Sequence, residues 1–531
     1  MTTTIYDAII IGAGHNGLVT AAYLAKTGSR VLVFERREIL GGAAATEEIF
    51  SGFKFNTGAH DAGLFRREII AELGLKKHGL ELIESPVAAF APQPDGGSLT
   101  LWRDQEKNIA EIAKFSKSDA EKFPAFIRLV SKLTEVLDSI MLLTPPSPAA
   151  AGQNSFDELL AWAKAGLKLK RAGKHEMMEF LRVLPMTVTE FLKEWFESEA
   201  LKAMLGSAGV TGSMQGPQAS GTAFMMLYHY LGMANGGFKS SFFVKGGIGQ
   251  LSEALASAAR QHGAEIRTGA EVAQIKLAAG KATGVVLKNG EEISAHVVIS
   301  NADPRHTFFD LAGAPNLGPT FVRRVRNIRF RGNTAKVNLA LSDLPRFRSP
   351  EAHLSGHIII CPSLEYLERA YDEAKYGHYS QKPYLDIVIP TVLDSSLAPA
   401  GKHVMSITMQ YAPYKLCESN WDESHEKLGD HIISTLAEYA PNIKALILHR
   451  QVITPLDWER NYALAEGCVF HGQMGLDQLM FMRPVAGFGQ YRTPIANLYL
   501  CGAGTHPGGG VTGAPGHNAA REVLKDWKRT T

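Results

Sequence analysis

Cysteine is scarce in this chain: four in 531 residues, Cys361, Cys417, Cys468 and Cys501, each far from the next. With no CxxC pair and no clustered His and Cys, neither a dithiol relay nor a metal site is expected. The four read as reduced, mostly buried thiols of a cytoplasmic-type compartment. Excess charge is scarce too. Lys and Arg number 55 against 53 Asp and Glu, a net +2, and no long basic run occurs. That excludes a nucleic-acid binder working by phosphate attraction. Long apolar runs are missing: nothing approaches the roughly eighteen residues of a membrane span. Met1-Thr2-Thr3-Thr4 leads almost directly into the first apolar run, which leaves no room for a signal or transit peptide. No internal repeat or low-complexity stretch is present.

What is present is concentrated at the two ends. Ala8-Ile9-Ile10-Ile11 reads as a buried parallel strand, residues 18–26 as an Ala/Leu-rich helix ending near Gly28, and residues 30–34 as a second strand with Glu35 at its end. Between strand and helix stands Gly12-Ala13-Gly14-His15-Asn16-Gly17. Gly12 permits a tight turn, Gly14 lets backbone approach a pyrophosphate, and Gly17 lets helix and strand pack closely. The helix N-terminus offers free N–H groups to phosphate, and Glu35 stands where an acid accepts from ribose hydroxyls. This order of strand, glycines, helix, strand and acid predicts a dinucleotide site. Arg36, Arg37 and the pair Gly41-Gly42, followed by Ala43-Ala44, extend it with basic groups and a second close backbone approach. Near the other end, residues 497–501 read as a strand that enters Gly502-Ala503-Gly504-Thr505-His506-Pro507-Gly508-Gly509-Gly510. Gly513-Ala514-Pro515-Gly516-His517-Asn518 then opens a closing helix, a second helix N-terminus for a polar ligand.

Taken together, GAGHNG, ERREILGG and YLCGAGTHPGGGVTGAPGHNAA resemble the phytoene (carotenoid) desaturase-like branch of the FAD-dependent, amine-oxidase-type flavoproteins. The resemblance runs nearly end to end, with its specific motifs in the dinucleotide-binding segments. It implies an α/β fold, a Rossmann-type FAD-binding domain intertwined with an α+β substrate domain. It also implies non-covalent FAD and hydride transfer from an apolar substrate. By the same resemblance a turn at Gly58-Ala59 comes close to the flavin, residues 244–249 stand beside it, the Val272 backbone contacts adenine, and Asn301 ends a strand near the dinucleotide. Gly502, Ala503, Gly513, Ala514, Pro515 and Asn518 complete the expected FAD-binding set.

A chain this long suits two domains better than one core. The expected division is 1–60, 244–305 and 490–531 for FAD, and 61–243 with 306–489 for substrate, with a helical, membrane-facing reading for 106–205. Residues 87–91 and 99–102 read as a hairpin. Residues 156–174 alternate Leu159, Leu160, Trp162, Ala163, Leu167 and Leu169 with five basic residues, a pattern that suits either an anionic membrane surface or a solvated lysine face. The Met- and aromatic-rich stretch 224–231 reads as pocket, with core as its alternative. Residues 265–267 are expected at the edge of the large sheet, 271–287 as a small meander, and 296–300 as a return strand. Further strands are expected at 335–341, 357–361, 385–390 and 403–411, with a helix at 423–439. Trp421, Trp458, Phe470, His471 and Phe488 are candidates to line the cavity.

His60, Tyr228, His229 and Lys245 are the catalytic candidates, although His60 reads more readily as a structural histidine. Only one strand–glycine–helix unit is evident, so no second domain for NADPH is expected and the electron acceptor is oxygen or a quinone. Desaturation of a hydrophobic, carotenoid-like or lipid molecule is the leading reading, since the cofactor then carries the hard chemistry. Amine oxidation, polyene saturation or isomerisation, and a non-catalytic flavoprotein scaffold are the alternatives. The expected setting is cytoplasmic, with peripheral membrane contact one reading of the basic helix. Monomer and homodimer both stay open.

Overall fold

The computed structural model describes residues 5–146, 160, 162–164, 166–167, 173–231 and 242–530. Two seven-stranded sheets organise the chain. In the first, β1 (Ile5–Ile11) lies between β2 (Val31–Phe34) and the strand Glu292–Ser300, parallel to both. Ala8, Ile9 and Ile10 are fully buried, as a strand covered on both faces requires. After the glycine turn, α1 (His15–Ala25) runs back along β1, and its Leu18, Val19, Ala21 and Ala22 are sealed in the core with the last helix, Ala514–Thr530.

Glu265–Arg267 pairs with β2 at the edge. The expected small meander, Val272–Ala278 and Lys281–Leu287, is not a separate sheet. It extends the first sheet, because the nine-residue strand Glu292–Ser300 is long enough to serve two partners on one edge. The beginning of that strand pairs with Gly284–Val286, and its end pairs with Leu498–Leu500. The end of the chain is thereby brought beside its beginning.

The second sheet has the order Ile447–Ile453, Thr334–Leu341, His403–Gln410, Tyr384–Val388, His357–Ile360, Val87–Pro92, Ser98–Trp102. Its outer face is apolar. Val337, Leu339, Leu385, Ile387, Met405, Ile407 and Met409 pack on Leu428, Ile432 and Leu436 of the helix Trp421–Tyr439. Side chains alternate along a strand, so the other face carries Lys336, Asn338, Asp386, Ser406, Thr408 and Gln410. That polar face looks toward the first domain. A helical block led by Lys117–Met141 covers the hairpin end of the sheet, with Phe123, Phe126 and Val130 against Leu99 and Leu101.

The strand Ile447–Ile453 was not among those expected. The Met- and aromatic-rich stretch proves to be core: in the helix Thr222–His229, Phe224, Met225, Met226 and Leu227 are buried in the largest apolar cluster. Most of residues 156–174, including Leu159 and Leu169, lie outside the described residues. No described helix is long and apolar enough to cross a membrane.

Candidate functional site

A cavity of about 420 Å³ runs from the glycine turn of the first sheet to the polar face of the second. Its glycine-lined end gathers Gly12, Gly14, His15, Asn16, Glu35, Arg36, Arg37, Gly41, Gly42, Ala43, Gly58, Ala59, Val272, Asn301 and Ala503. These come from six separate segments of chain, all expected at such a site.

Each turn has a steric reason. Gly12 sits at φ +93°, a backbone that side chains rarely adopt. A Cβ on Gly17 would stand 2.2 Å from the Gly12 carbonyl oxygen, and one on Gly58 would stand 2.0 Å from that of Ala43. Gly14 caps α1 without any side chain, leaving the first-turn N–H groups free for a ligand. Glu35 accepts from the Ala13 N–H at 2.9 Å and from the Arg37 N–H at 3.0 Å, so it holds the turn as well as facing the cavity. Arg37 pairs with Glu47 at 2.7 Å and stacks on Tyr462. Arg36 donates to the Arg460 carbonyl at 2.9 Å.

Gly17, Ala44, Gly502, Gly513, Ala514, Pro515 and Asn518 are not on the cavity wall. Gly17 and Gly502 stand just behind it. Ala44 accepts from the Ser252 hydroxyl, and Asn518 donates to the Met141 carbonyl and the Tyr491 hydroxyl. From the last glycine run it is Gly510 and Val511 that reach the cavity.

Buried atoms at this end lack partners among the described residues: His15 Nε2, Asn16 Oδ1, Arg37 Nη1 and His471 Nδ1. Unsatisfied buried polar atoms are few in native proteins, and a ligand rich in phosphate and hydroxyl oxygens would use these. Burial holds the His15 imidazole down at about 4. Burial, with the nearby Arg483 cation, holds His471 at about 3. The residues present fit a dinucleotide.

Beside Gly58, the polar face of the second sheet presents a row of polar and ionisable groups to the cavity. Lys336, Thr408 and Asp386 are directly opposite one another on three adjacent strands. Lys336 donates to the carbonyl oxygens of Asn56 and, at 2.7 Å, Gly58, which ties the second sheet to the Gly58 turn. Its ammonium is wholly buried, and desolvation pulls it down to about 7. His60 Nε2 lies 2.6 Å from the Thr408 hydroxyl, and its Nδ1 has no partner among the described residues. Desolvation, with the Lys336 charge beside it, keeps His60 well below the usual imidazole range. His357 bridges two carboxylates, Nδ1 2.7 Å from Asp386 and Nε2 3.1 Å from Asp61.

Of the catalytic candidates, His60 and His229 line the cavity. Tyr228 is buried and donates to the Gly509 carbonyl at 2.8 Å, away from the wall. Lys245 is on the surface, its side chain 55% exposed and paired with Glu81, and it is not on the cavity wall. Trp458, Phe470 and His471 line the cavity, whereas Trp421 and Phe488 belong to apolar cores. Lys336, His357, Asp386, Thr408 and Gln410 were missed. For all but His357 the signal is the alternation in Thr334–Leu341, Tyr384–Val388 and His403–Gln410, where polar residues recur every second position inside buried strands; the strand His357–Ile360 shows no such pattern.

Cys361, Cys468 and Cys501 are buried, Cys417 is exposed, and all four are free. Away from the cavity, His378, Cys417 and Glu418 bring ligand atoms within 4.8 Å of one another at the surface, a grouping that sequence spacing does not show.

Residues 17–524 match the family described as flavin containing amine oxidoreductase. The chain is 40% identical to pyridine nucleotide-disulfide oxidoreductase domain-containing protein 2 of Rattus norvegicus, over 98% of this chain and 94% of that one. It is 30% identical to a limonene dehydrogenase component of Castellaniella defragrans, with the same coverages. Phytoene desaturase of Fusarium fujikuroi is 25% identical over 98% of this chain and 89% of its own. An oxidoreductase from Methanosarcina mazei shares the fold, with a TM-score of 0.63 at 18% identity over 98% of this chain and 99% of that one. The protein is an FAD-dependent oxidoreductase, and the chain belongs to the flavin containing amine oxidoreductase family.

Proposed function

We propose that the protein dehydrogenates a hydrophobic small molecule, introducing a carbon–carbon double bond. The observation that carries this reading is the pairing of two buried, weakly charged bases, Lys336 and His60, with a glycine-walled dinucleotide end in one cavity. FAD, when bound, supplies the acceptor for the hydride that leaves one carbon. The chain must then take the proton from the neighbouring carbon. His60 is neutral, anchored at Nε2 by Thr408, with Nδ1 unpaired among the described residues. Lys336 titrates near neutrality, where a general base works best. Burial shifts both toward the neutral, proton-accepting form. Two relatives are named for limonene dehydrogenase and phytoene desaturase, and both names point to unsaturated hydrocarbons.

Amine oxidation is the nearest rival, and it would call for aromatic rings flanking a gap. Trp458 and Tyr462 pack on each other at 5.1 Å instead. Electrons leave to oxygen or a quinone in this reading, since the βαβ unit at the N-terminus is the only one in the sequence with the full glycine fingerprint.

The test is anaerobic mixing of the purified holoprotein with monoterpenes, carotenoid precursors, fatty acyl compounds and amines, following the oxidised flavin absorbance. Bleaching by a hydrocarbon class, with the alkene product identified, supports the proposal. Bleaching by amines alone replaces it with amine oxidation. No bleaching, in protein that dithionite still reduces, moves the assignment to saturation, isomerisation or a scaffold.

A further inference from the structure

Arg483 is the largest fully buried side chain described, with none of its surface exposed. A buried guanidinium normally has a carboxylate partner. Among the described residues this one has none. All its hydrogen bonds go to backbone carbonyls: Ala503 at 3.0 Å from Nε and 2.8 Å from Nη2, Gly472 at 3.1 Å, Phe470, and Gln478 at 3.5 Å. Neutral carbonyls satisfy the donors and leave the charge unbalanced. Burial lowers Arg483 only to about 10, so it stays cationic at neutral pH.

Its position is not arbitrary. Ala503, Phe470 and His471 are on the cavity wall, and Arg483 sits behind them, clamping the segment 470–472 to Ala503 of the late glycine run. The cation is close enough to the wall to depress His471. His471, which feels this charge, and His15 beside it are themselves neutral. Arg483 is therefore a fixed positive charge directly behind that stretch of wall. An uncompensated buried cation is costly, and the missing counter-charge must be brought by whatever binds.

We propose that Arg483 is the built-in counter-charge for FAD, a positioning residue that favours the more negative, reduced cofactor and so raises its reduction potential. The proposal rests on FAD being the ligand of this cavity. It reaches beyond the proposed reaction, because it fixes how readily the protein takes electrons from any substrate. The residue acts through the wall and touches neither substrate nor reacting atoms.

The experiment compares the midpoint potential of the wild-type holoprotein with Arg483→Lys and Arg483→Gln, titrated with dithionite against indicator dyes. Lysine keeps the charge and loses the fork, while glutamine keeps donors for the carbonyls and loses the charge. The expected result is a potential near wild type for lysine. For glutamine the reduced form should be disfavoured at least tenfold, which is about 30 mV for a two-electron couple. A purely structural clamp would move both variants alike or neither, and folded, yellow Arg483→Gln with the wild-type potential overturns the proposal. If neither variant folds, the wild type decides alone: dithionite-reduced protein in mildly acidic buffer should show the spectrum of anionic reduced flavin, and the neutral form there overturns the proposal. A wild-type protein that holds no FAD would instead sink the underlying reading of the cavity.

Discussion

Single glycines in this chain separate binding from folding. Gly14 has an ordinary φ of −66°, and a Cβ there would meet the movable Asn301 amide at 2.9 Å. Gly14→Val should therefore fold and purify colourless, because the new methyl groups enter the cavity wall while the nearest side chain gives way. A folded, stoichiometrically yellow variant would refute the placement of the turn. Gly17→Val is different, since the added atoms meet the Gly12 backbone oxygen at 2.2 Å. Overpacking of this kind costs about 1–3 kcal/mol, so this variant should lose thermal stability as well as colour. Glu35→Ala leaves the Ala13 and Arg37 N–H groups unpaired. The cost should be about 1–3 kcal/mol, with weaker FAD retention, and calorimetry beside flavin quantification would read both.

At the scale of strands, the polar row on the substrate sheet behaves as one unit. Asp386 is the charge that holds the Lys336 ammonium up against desolvation. Asp386→Asn should lower the Lys336 pKa below about 7, read from the side-chain carbon shift of labelled lysine during a pH titration. An unchanged titration would show that Asp386 is too well solvated to matter. Thr408→Val, nearly isosteric, removes the His60 anchor and should cost about 1 kcal/mol with the sheet intact. This row also shows where sequence reading stops. The glycine turns were legible because each motif is local: strand, turn, helix and acid lie within one short run, and the steric demand is written in the residue type. His357, Asp386 and Thr408 come from three successive strands separated by long connections, and Lys336 from an earlier strand that pairs out of chain order, so nothing local marks them as neighbours. Lys245 misled for the opposite reason: it stands beside a recognisable glycine run yet points to solvent. Arg483 lies in a loop with no periodicity, and only its burial reveals it.

Over the whole molecule, these buried bases set how stability depends on pH. His15 and His506 titrate at about 4 and His471 at about 3 when folded, against 6.5 in an open chain, and burial is the main cause in each. Between those values the unfolded chain binds a proton that the folded protein refuses, so stability falls as pH drops from 6.5 toward 4. Lys336 works in a higher window. From about 7 up to 10.5 the unfolded lysine is protonated and the folded one is not, so stability rises with pH there. The protein should thus be acid-sensitive and gain stability from mildly acidic toward mildly alkaline conditions. His506 isolates one contribution, because it lies off the cavity wall and its Nε2 donates to the Ile140 carbonyl at 3.0 Å. His506→Gln keeps a donor for that carbonyl and cannot titrate. It should flatten the acid limb by up to about 1.4 kcal/mol per pH unit, or about 3 kcal/mol across the window. Calorimetric unfolding of the holoprotein at several pH values, wild type against variant, measures this. Parallel curves would mean that His506 is protonated in the folded state and that burial does not control its charge.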